Sequence, residues 1–154
     1  MDLKMRPELA AGYKSPSQIA RILTEDWAGR NLYCPACTSD HLEPTATGTK
    51  VVDFVCPRCE DSFQLKSSKN PFKRRFADAA YEPMMASVRR GTVPHFLLLN
   101  YRPDSWTVVS LLLLPQQFIT ESCIQRRKPL SGRARRMGWV GCDILLSLIH
   151  ISEP

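Results

Sequence analysis

Val52-Asp-Phe-Val-Cys-Pro-Arg-Cys-Glu-Asp-Ser-Phe-Gln-Leu-Lys66 is the stretch whose reading decides the fold. Two short runs rich in Val and Phe, Lys50 to Val55 and Ser62 to Lys66, read as an antiparallel pair of strands joined by Cys56-Pro57-Arg58-Cys59. Strand alternation puts Gln64 and Lys66 on one face and Leu65 on the other. If Asp53 faces the same way across the hairpin, a carboxylate, an amide oxygen and an ammonium converge. A hard cation such as Mg²⁺ prefers oxygen ligands, takes one or two from protein carboxylates, and leaves positions for water and a phosphate oxygen. Such a site suits phosphodiester hydrolysis: the metal polarises the phosphoryl group and acidifies a water, and Lys66 orients that water or stabilises developing negative charge. Taken alone, an Asp and a Gln-x-Lys at this spacing are also what solvated strand positions look like, so the surrounding sequence has to decide.

The cysteines supply the first part of that context. Cys34-Pro-Ala-Cys37 and Cys56-Pro-Arg-Cys59 are separated by eighteen intervening residues, which is zinc-ribbon spacing. Each CxxC turn brings two thiolates to one metal, and four make a closed tetrahedral site with Zn–S bonds of about 2.3 Å. A closed site is structural, since no position remains for water or substrate. Two disulfides are disfavoured in a chain that starts without a secretory signal, and redox CxxC pairs are disfavoured by there being two at ribbon separation. Cys123 and Cys142 lack the spacing and read as buried apolar thiols. His41, His95 and His150 form no ligand pair, and no role is assigned to them.

Outward from this centre, Ser15-Pro16-Ser17-Gln18 is a helix start, with Ile19, Ile22, Leu23 and Trp27 recurring at helical spacing. A helix is predicted over Ser17 to Ala28, with its apolar stripe in the core and Gly29 as its end. Thr45, Thr47, Gly48 and Thr49 read as loop or hairpin. Phe76 to Arg89 is predicted helical, with Pro83 implying a kink or a late start. His95 to Tyr101 and Trp106 to Leu114 are apolar strands linked by the turn Arg102-Pro103-Asp104-Ser105. Gln116 to Ile124 is read as a short helix, and a basic loop from Gln125 to Arg136 precedes a Trp139 to Ile144 segment.

The 154 residues include 44% hydrophobic and 23% charged side chains, a globular composition whose length suits one domain. Asp2, Lys4, Arg6 and Glu8 interrupt the start, so no secretory signal is read there and a cytoplasmic, monomeric protein is expected. Asn100, Arg102, Pro103 and Asp104 break the most apolar region, Phe96 to Leu114, which excludes it as a membrane span. Charge is unevenly placed: residues 1–64 carry 7 basic and 9 acidic side chains, a net of −2, whereas residues 65–154 carry 14 and 6, a net of +8. The excess clusters at Lys66, Lys69, Lys73, Arg74 and Arg75, and again at Arg126, Arg127, Lys128, Arg133, Arg135 and Arg136. Such clusters suit a polyanion, because each phosphate neutralised releases condensed counterions.

Several stretches taken together resemble the PD-(D/E)xK nuclease superfamily, and within it the DpnI-type, Dam-replacing family of methyl-directed restriction endonucleases. They are Ala20-Arg-Ile-Leu-Thr-Glu-Asp-Trp27, Tyr33-Cys-Pro-Ala-Cys37, Val52-Asp-Phe-Val-Cys56, Phe63-Gln-Leu-Lys-Ser67, Lys128-Pro-Leu130, Ala134-Arg-Arg136 and Gly138-Trp-Val-Gly-Cys142. The resemblance covers about Tyr13 to Asp143. It implies an α/β fold, a restriction-endonuclease-like core of mixed sheet flanked by helices with an inserted four-cysteine zinc ribbon at 33–60, inside a catalytic domain spanning 1–144. It also implies structural Zn²⁺ on Cys34, Cys37, Cys56 and Cys59, and Mg²⁺-dependent cleavage of double-stranded DNA at GATC sites with N6-methylated adenine. By position, Asp53 and Gln64 would be magnesium ligands, Lys66 the catalytic lysine, and Glu25 a further acidic residue near the metal. Lys69, Arg126, Arg127, Lys128, Arg135 and Arg136 are the candidate DNA contacts. Two departures stand out. Gln64 occupies a position that is usually acidic in the family and binds a divalent cation less strongly. The tail, 145–154, does not continue the motif pattern, and the winged-helix DNA-binding domain expected after the catalytic domain is absent, so the chain reads as the front of a longer nuclease. The alternative from another class is a non-catalytic zinc-ribbon DNA-binding module or an inactive fragment.

Overall fold

The computed structural model describes residues 1–46 and 51–148. In chain order its elements are α1 (Pro16–Asn31), β1 (Glu43–Pro44), β2 (Phe54–Val55), β3 (Ser62–Ser68), β4 (Arg75–Ala80), α2 (Tyr81–Arg90), β5 (His95–Arg102), β6 (Thr107–Leu114), β7 (Ile124–Arg126) and β8 (Gly141–Leu145), with short 3₁₀ turns between. The chain divides into two compact units, Met1–Pro71 with Pro94–Leu114, and Phe72–Val93 with Pro115–Pro154.

The first unit is built on a five-stranded mixed sheet in the order β1-β2-β3-β5-β6. The expected antiparallel pairing of β2 with β3 is present, Phe54 opposite Phe63 and Val55 opposite Ser62, but the first strand is shorter than expected: Val51, at φ 55, Val52 and Asp53 lie before it. Further along the sheet, β3 runs parallel to β5 and β5 antiparallel to β6. β5 lies between β3 and β6, and its buried run from His95 to Tyr101 is what a strand buried on both faces requires. Leu97, Leu99 and Tyr101, alternate residues of β5, join Phe54 and Phe63 of the sheet and Leu23, Trp27 and Ala28 of α1 in one core. Fully burying a Leu or Phe of this kind is worth about 1.5–3 kcal/mol. The Trp27 indole N–H donates to the Asp2 carbonyl at 2.8 Å, and Leu3 and Met5 bond the backbone at Val108 and Trp106, so the chain start is stitched to α1 and β6.

Ser15 stands at the helix cap with extended backbone and Pro16 takes the first helical position, as the sequence predicts. The Ser15 hydroxyl meets that of Ser17 at 3.0 Å instead of capping a helix N–H. Gly29 does not end α1. The helix continues to Asn31, whose side-chain amide donates to the Trp27 carbonyl at 2.9 Å, and Leu32 N–H closes the last turn on Ala28.

The second unit holds a three-stranded antiparallel sheet, β4-β8-β7, with α2 beside it. Here the sequence reading is corrected. Phe76 to Ala80 form a strand, pairing with β8 through Phe76–Ile144 and Ala77–Asp143, and the helix starts only at Tyr81. Pro83 explains the late start: the first four helical N–H groups have no intrahelical partner, so proline is tolerated in the first turn and excluded further in. Gly91, at φ 68, closes α2 in the left-handed conformation, where Thr92 N–H reaches back to Ser87. Gln116 to Ile124 is likewise not one helix. It forms two 3₁₀ turns, Gln116–Phe118 and Glu121–Cys123, separated by extended backbone at Ile119 and Thr120, and Ile124 opens β7.

The loop or hairpin expected at Thr47 to Thr49, the first residue of the strand expected from Lys50, and His150 lie outside the described residues. Of the atypical tail, Leu145 ends β8 and Leu146–Leu148 form a 3₁₀ turn, and the remainder is likewise outside them. No described helix is long and apolar enough to cross a membrane.

Candidate functional site

The two CxxC turns meet. One sulfur from each of Cys34, Cys37, Cys56 and Cys59 lies within 4.8 Å of all the others, with Cys34–Cys59 at 3.7 Å and Cys37–Cys56 at 3.5 Å. A tetrahedron with Zn–S bonds of about 2.3 Å has sulfur–sulfur edges of about 3.8 Å, so the cluster fits one zinc ion. Each turn closes the same way: Cys34 N–H donates to Ser39 O at 3.1 Å, and Cys56 N–H to Asp61 O at 2.9 Å. Backbone N–H groups of Ala36, Ser39 and Arg58 each donate to a cysteine sulfur at 3.4 Å, which favours thiolates. Burial resists ionisation of Cys56, but the N–H groups of Cys59 and Arg58, with the neighbouring sulfurs, bring it down to about 6. At Cys59 a backbone bond at Asp61 favours the thiolate, but burial and then the Cys56 sulfur outweigh it and push the group up to about 12. Four soft sulfur donors crowded in this way match zinc chemistry. Glu60 takes the positive φ of 66 that the second turn demands, and Arg58 donates to Thr38 across the two turns at 2.6 Å. His95, given no role by the sequence, ties β5 to the end of this turn through a 2.9 Å bond between Nε2 and Asp61.

Beside the cluster, Asp53 lies one residue before β2 and is fixed from three directions. Its N–H donates to Phe63 O at 2.8 Å, its carbonyl accepts from Thr45 N–H at 3.0 Å, and its carboxylate Oδ2 accepts from Leu65 N–H at 2.7 Å. The last bond arises because β2 stops pairing with β3 at Phe63, leaving the next N–H on that edge for a side chain. The middle residue of Gln64-Leu65-Lys66 is thereby tethered to Asp53. Gln64 is buried opposite Phe96 of β5, and Lys66 is half-buried opposite Leu98.

A cleft of about 710 Å³ opens in the first unit, and both Asp53 and Glu25 line it. Its helical wall is a polar stripe of α1, Gln18, Arg21, Glu25, Asp26 and Arg30, spaced at turns of the helix; Thr45, Val52 and Phe54 lie among the residues opposite. Gln64 and Lys66 are not among its described lining. Arg21 Nε donates to Glu25 Oε1 at 3.0 Å, and Arg30 Nε to Asp26 Oδ2 at 2.9 Å. The Arg21 guanidinium is held more firmly protonated by the Glu25 hydrogen bond and charge, and further by the charge of Asp53. The sequence reading missed Arg21, Asp26 and Arg30, although their i, i+4 spacing with Glu25 and with each other was there to find. Asp53 and Glu25 each bring hard oxygen donors to the cleft, the donor type a hard divalent cation takes.

The candidate DNA contacts divide between the units: Lys69 belongs to the first, and Arg126, Arg127, Lys128, Arg135 and Arg136 to the second. Arg126, Lys128, Arg135 and Arg136 are exposed. Arg127 is drawn to Asp143 at 3.8 Å, and Arg75 reaches the same carboxylate at 3.7 Å, so part of that charge is already compensated. Arg136 lies over the Trp139 ring at 4.7 Å. A Cβ on Gly141 would meet that ring at 2.6 Å, so glycine is what lets the indole lie against β8.

A family model described as DpnI, Dam-replacing family, matches residues 1–153. The match takes in the tail that the motif reading set apart. The chain belongs to the Dam-replacing family, and membership places it among DNA-acting nucleases.

Proposed function

We propose that this member of the Dam-replacing family is a Mg²⁺-dependent, methyl-directed restriction endonuclease that hydrolyses phosphodiester bonds of double-stranded DNA at adenine-methylated GATC sites, on a PD-(D/E)xK core spanning 1–144. The observation that carries the reading is the Asp53 carboxylate, fastened to the middle of Gln64-Leu65-Lys66 at 2.7 Å while lining a cleft with Glu25. Asp53 is the residue in the cleft that would hold the magnesium ion, with Glu25 the further acidic group; Gln64, buried on β3 and not among the cleft's described lining, is proposed as a ligand on the motif alone. When bound, Mg²⁺ supplies positive charge that polarises the phosphoryl group and lowers the pKa of a water. Lys66 orients that water and stabilises charge developing on the phosphate. Zinc on the four cysteines is structural and holds the hairpin that carries Asp53. Exposed arginines of the second unit position the duplex through phosphates, and base-edge contacts select the sequence.

Gln64 favours one second reading, a zinc-ribbon protein that binds DNA without cutting it, since a neutral amide contributes less than a carboxylate to cation binding. Plasmid isolated from adenine-methylating and non-methylating hosts, incubated with the protein and Mg²⁺, separates the two. Cutting of methylated plasmid alone, lost in Asp53→Ala, is expected. Binding without cutting at high protein and saturating Mg²⁺ or Mn²⁺ would establish the second reading instead.

A further inference from the structure

We propose that Arg21 is the internal counter-ion of the Glu25 carboxylate and that it couples metal loading to DNA binding: a DNA phosphate draws the guanidinium away and releases Glu25 to a divalent cation. The proposal rests on the nuclease reading of the same cleft. Arg21 sits one helical turn before Glu25, its Nε 3.0 Å from Oε1, and both line the cleft that Asp53 lines. A guanidinium and a hard cation compete for the same anionic oxygen.

Exposure decides which cleft arginine can exchange partners. The Arg21 side chain is 70% exposed and Glu25 37%, whereas the Arg30–Asp26 pair is 28% and 26% exposed. An exposed pair contributes little to stability, so leaving it is easy, and the guanidinium fork matches phosphate oxygens in a bidentate way. Linkage then makes the effect reciprocal: whatever factor DNA adds to metal affinity, metal adds to DNA affinity.

The test uses the full chain, with Mn²⁺ as the probe and electron paramagnetic resonance as the readout, in the absence of DNA and again with an unmethylated GATC duplex. Arg21→Gln is expected to bind Mn²⁺ about two- to fivefold tighter than wild type without DNA, the size an exposed charge contact supplies. The duplex is expected to raise Mn²⁺ affinity in wild type and to raise it less in Arg21→Gln. Arg21→Lys, which keeps the charge and loses the fork, falls between them, and helix content by circular dichroism stays unchanged in both. Equal or weaker Mn²⁺ binding by Arg21→Gln, or the same response to duplex in both proteins, overturns the proposal alone. Wild type that binds no Mn²⁺, or binding untouched by Asp53→Ala, overturns the nuclease reading of the cleft and this proposal with it.

Discussion

Asp53 does two jobs that can be separated by substitution. Its Oδ2 satisfies the Leu65 N–H, and its charge is the carboxylate offered to the cleft. Asp53→Ala removes both, leaving a donor at the sheet edge without its partner, so a stability loss of about 1–3 kcal/mol is expected together with loss of cleavage. Asp53→Asn keeps an acceptor oxygen and removes the charge; denaturant unfolding should place it near wild type while plasmid cleavage stays lost. An Asn variant that cuts normally would show that the carboxylate charge is not what the chemistry uses. Gln64, two residues before Lys66 and buried on the same strand, is the other informative position. Gln64→Glu adds a negative charge to the proposed metal site and should lower the Mg²⁺ needed for half-maximal cleavage about tenfold, equivalent to roughly 1.4 kcal/mol of metal binding. An unchanged Mg²⁺ requirement would exclude Gln64 as a ligand.

At the scale of elements, the two cysteine turns extend the core to the shortest strands. β1 and β2 have two residues each, too few to hold a hairpin by ladder bonds alone, and the cluster at Cys34, Cys37, Cys56 and Cys59 locks the chain on both sides of them. Because a structural zinc site contributes its binding free energy to folding, a strong chelator or Cys37→Ser should lower the thermal midpoint and release about one zinc per chain, with Asp53 displaced and cleavage lost. Retention of the midpoint and activity after chelation would separate the cluster from the cleft. In the second unit, β8 is the element that organises the rest, pairing with β4 on one side and β7 on the other, and Cys142 and Ile144 on it are fully buried. Gly141→Ala should push the Trp139 ring from its seat, and a shift in tryptophan fluorescence with little loss of secondary structure is the expected signature.

For the whole molecule the relevant quantity is the split of charge, −2 over residues 1–64 and +8 over 65–154, rather than the total of +6. Phosphate contacts show themselves as salt dependence, each one adding about 0.9 to the slope of log affinity against log salt. Replacing Arg135 and Arg136 together with Ala should therefore flatten that slope by roughly two units and weaken methylated and unmethylated duplexes alike. A loss confined to methylated DNA would instead make these arginines readers of the base edge, and an unchanged slope would remove them from the interface.

The sequence by itself determined the features that local spacing controls. Ser15-Pro16 and the apolar period from Ile19 to Trp27 specify α1, the paired CxxC turns specify a metal cluster, and the Val- and Phe-rich runs around Cys56 to Cys59 specify the hairpin. What it could not determine was set by partners far along the chain. Phe76 to Ala80 has a helical composition, yet pairing with β8, from Phe76–Ile144 to Ala80–Gly141, makes it a strand. Gly29 is the exception, a miss set within one turn: it has the identity of a helix end, but local bonds from Asn31 and Leu32 back to Trp27 and Ala28 carry the helix past it. Glu25 and Asp53 are 28 positions apart and share a cleft only because α1 packs on the sheet, and the tether from Asp53 to Leu65 exists because β2 stops one residue short. Propensity and spacing act within a turn or a strand, whereas backbone hydrogen bonds and apolar burial are satisfied wherever the chain returns, and at these positions the distant partner won.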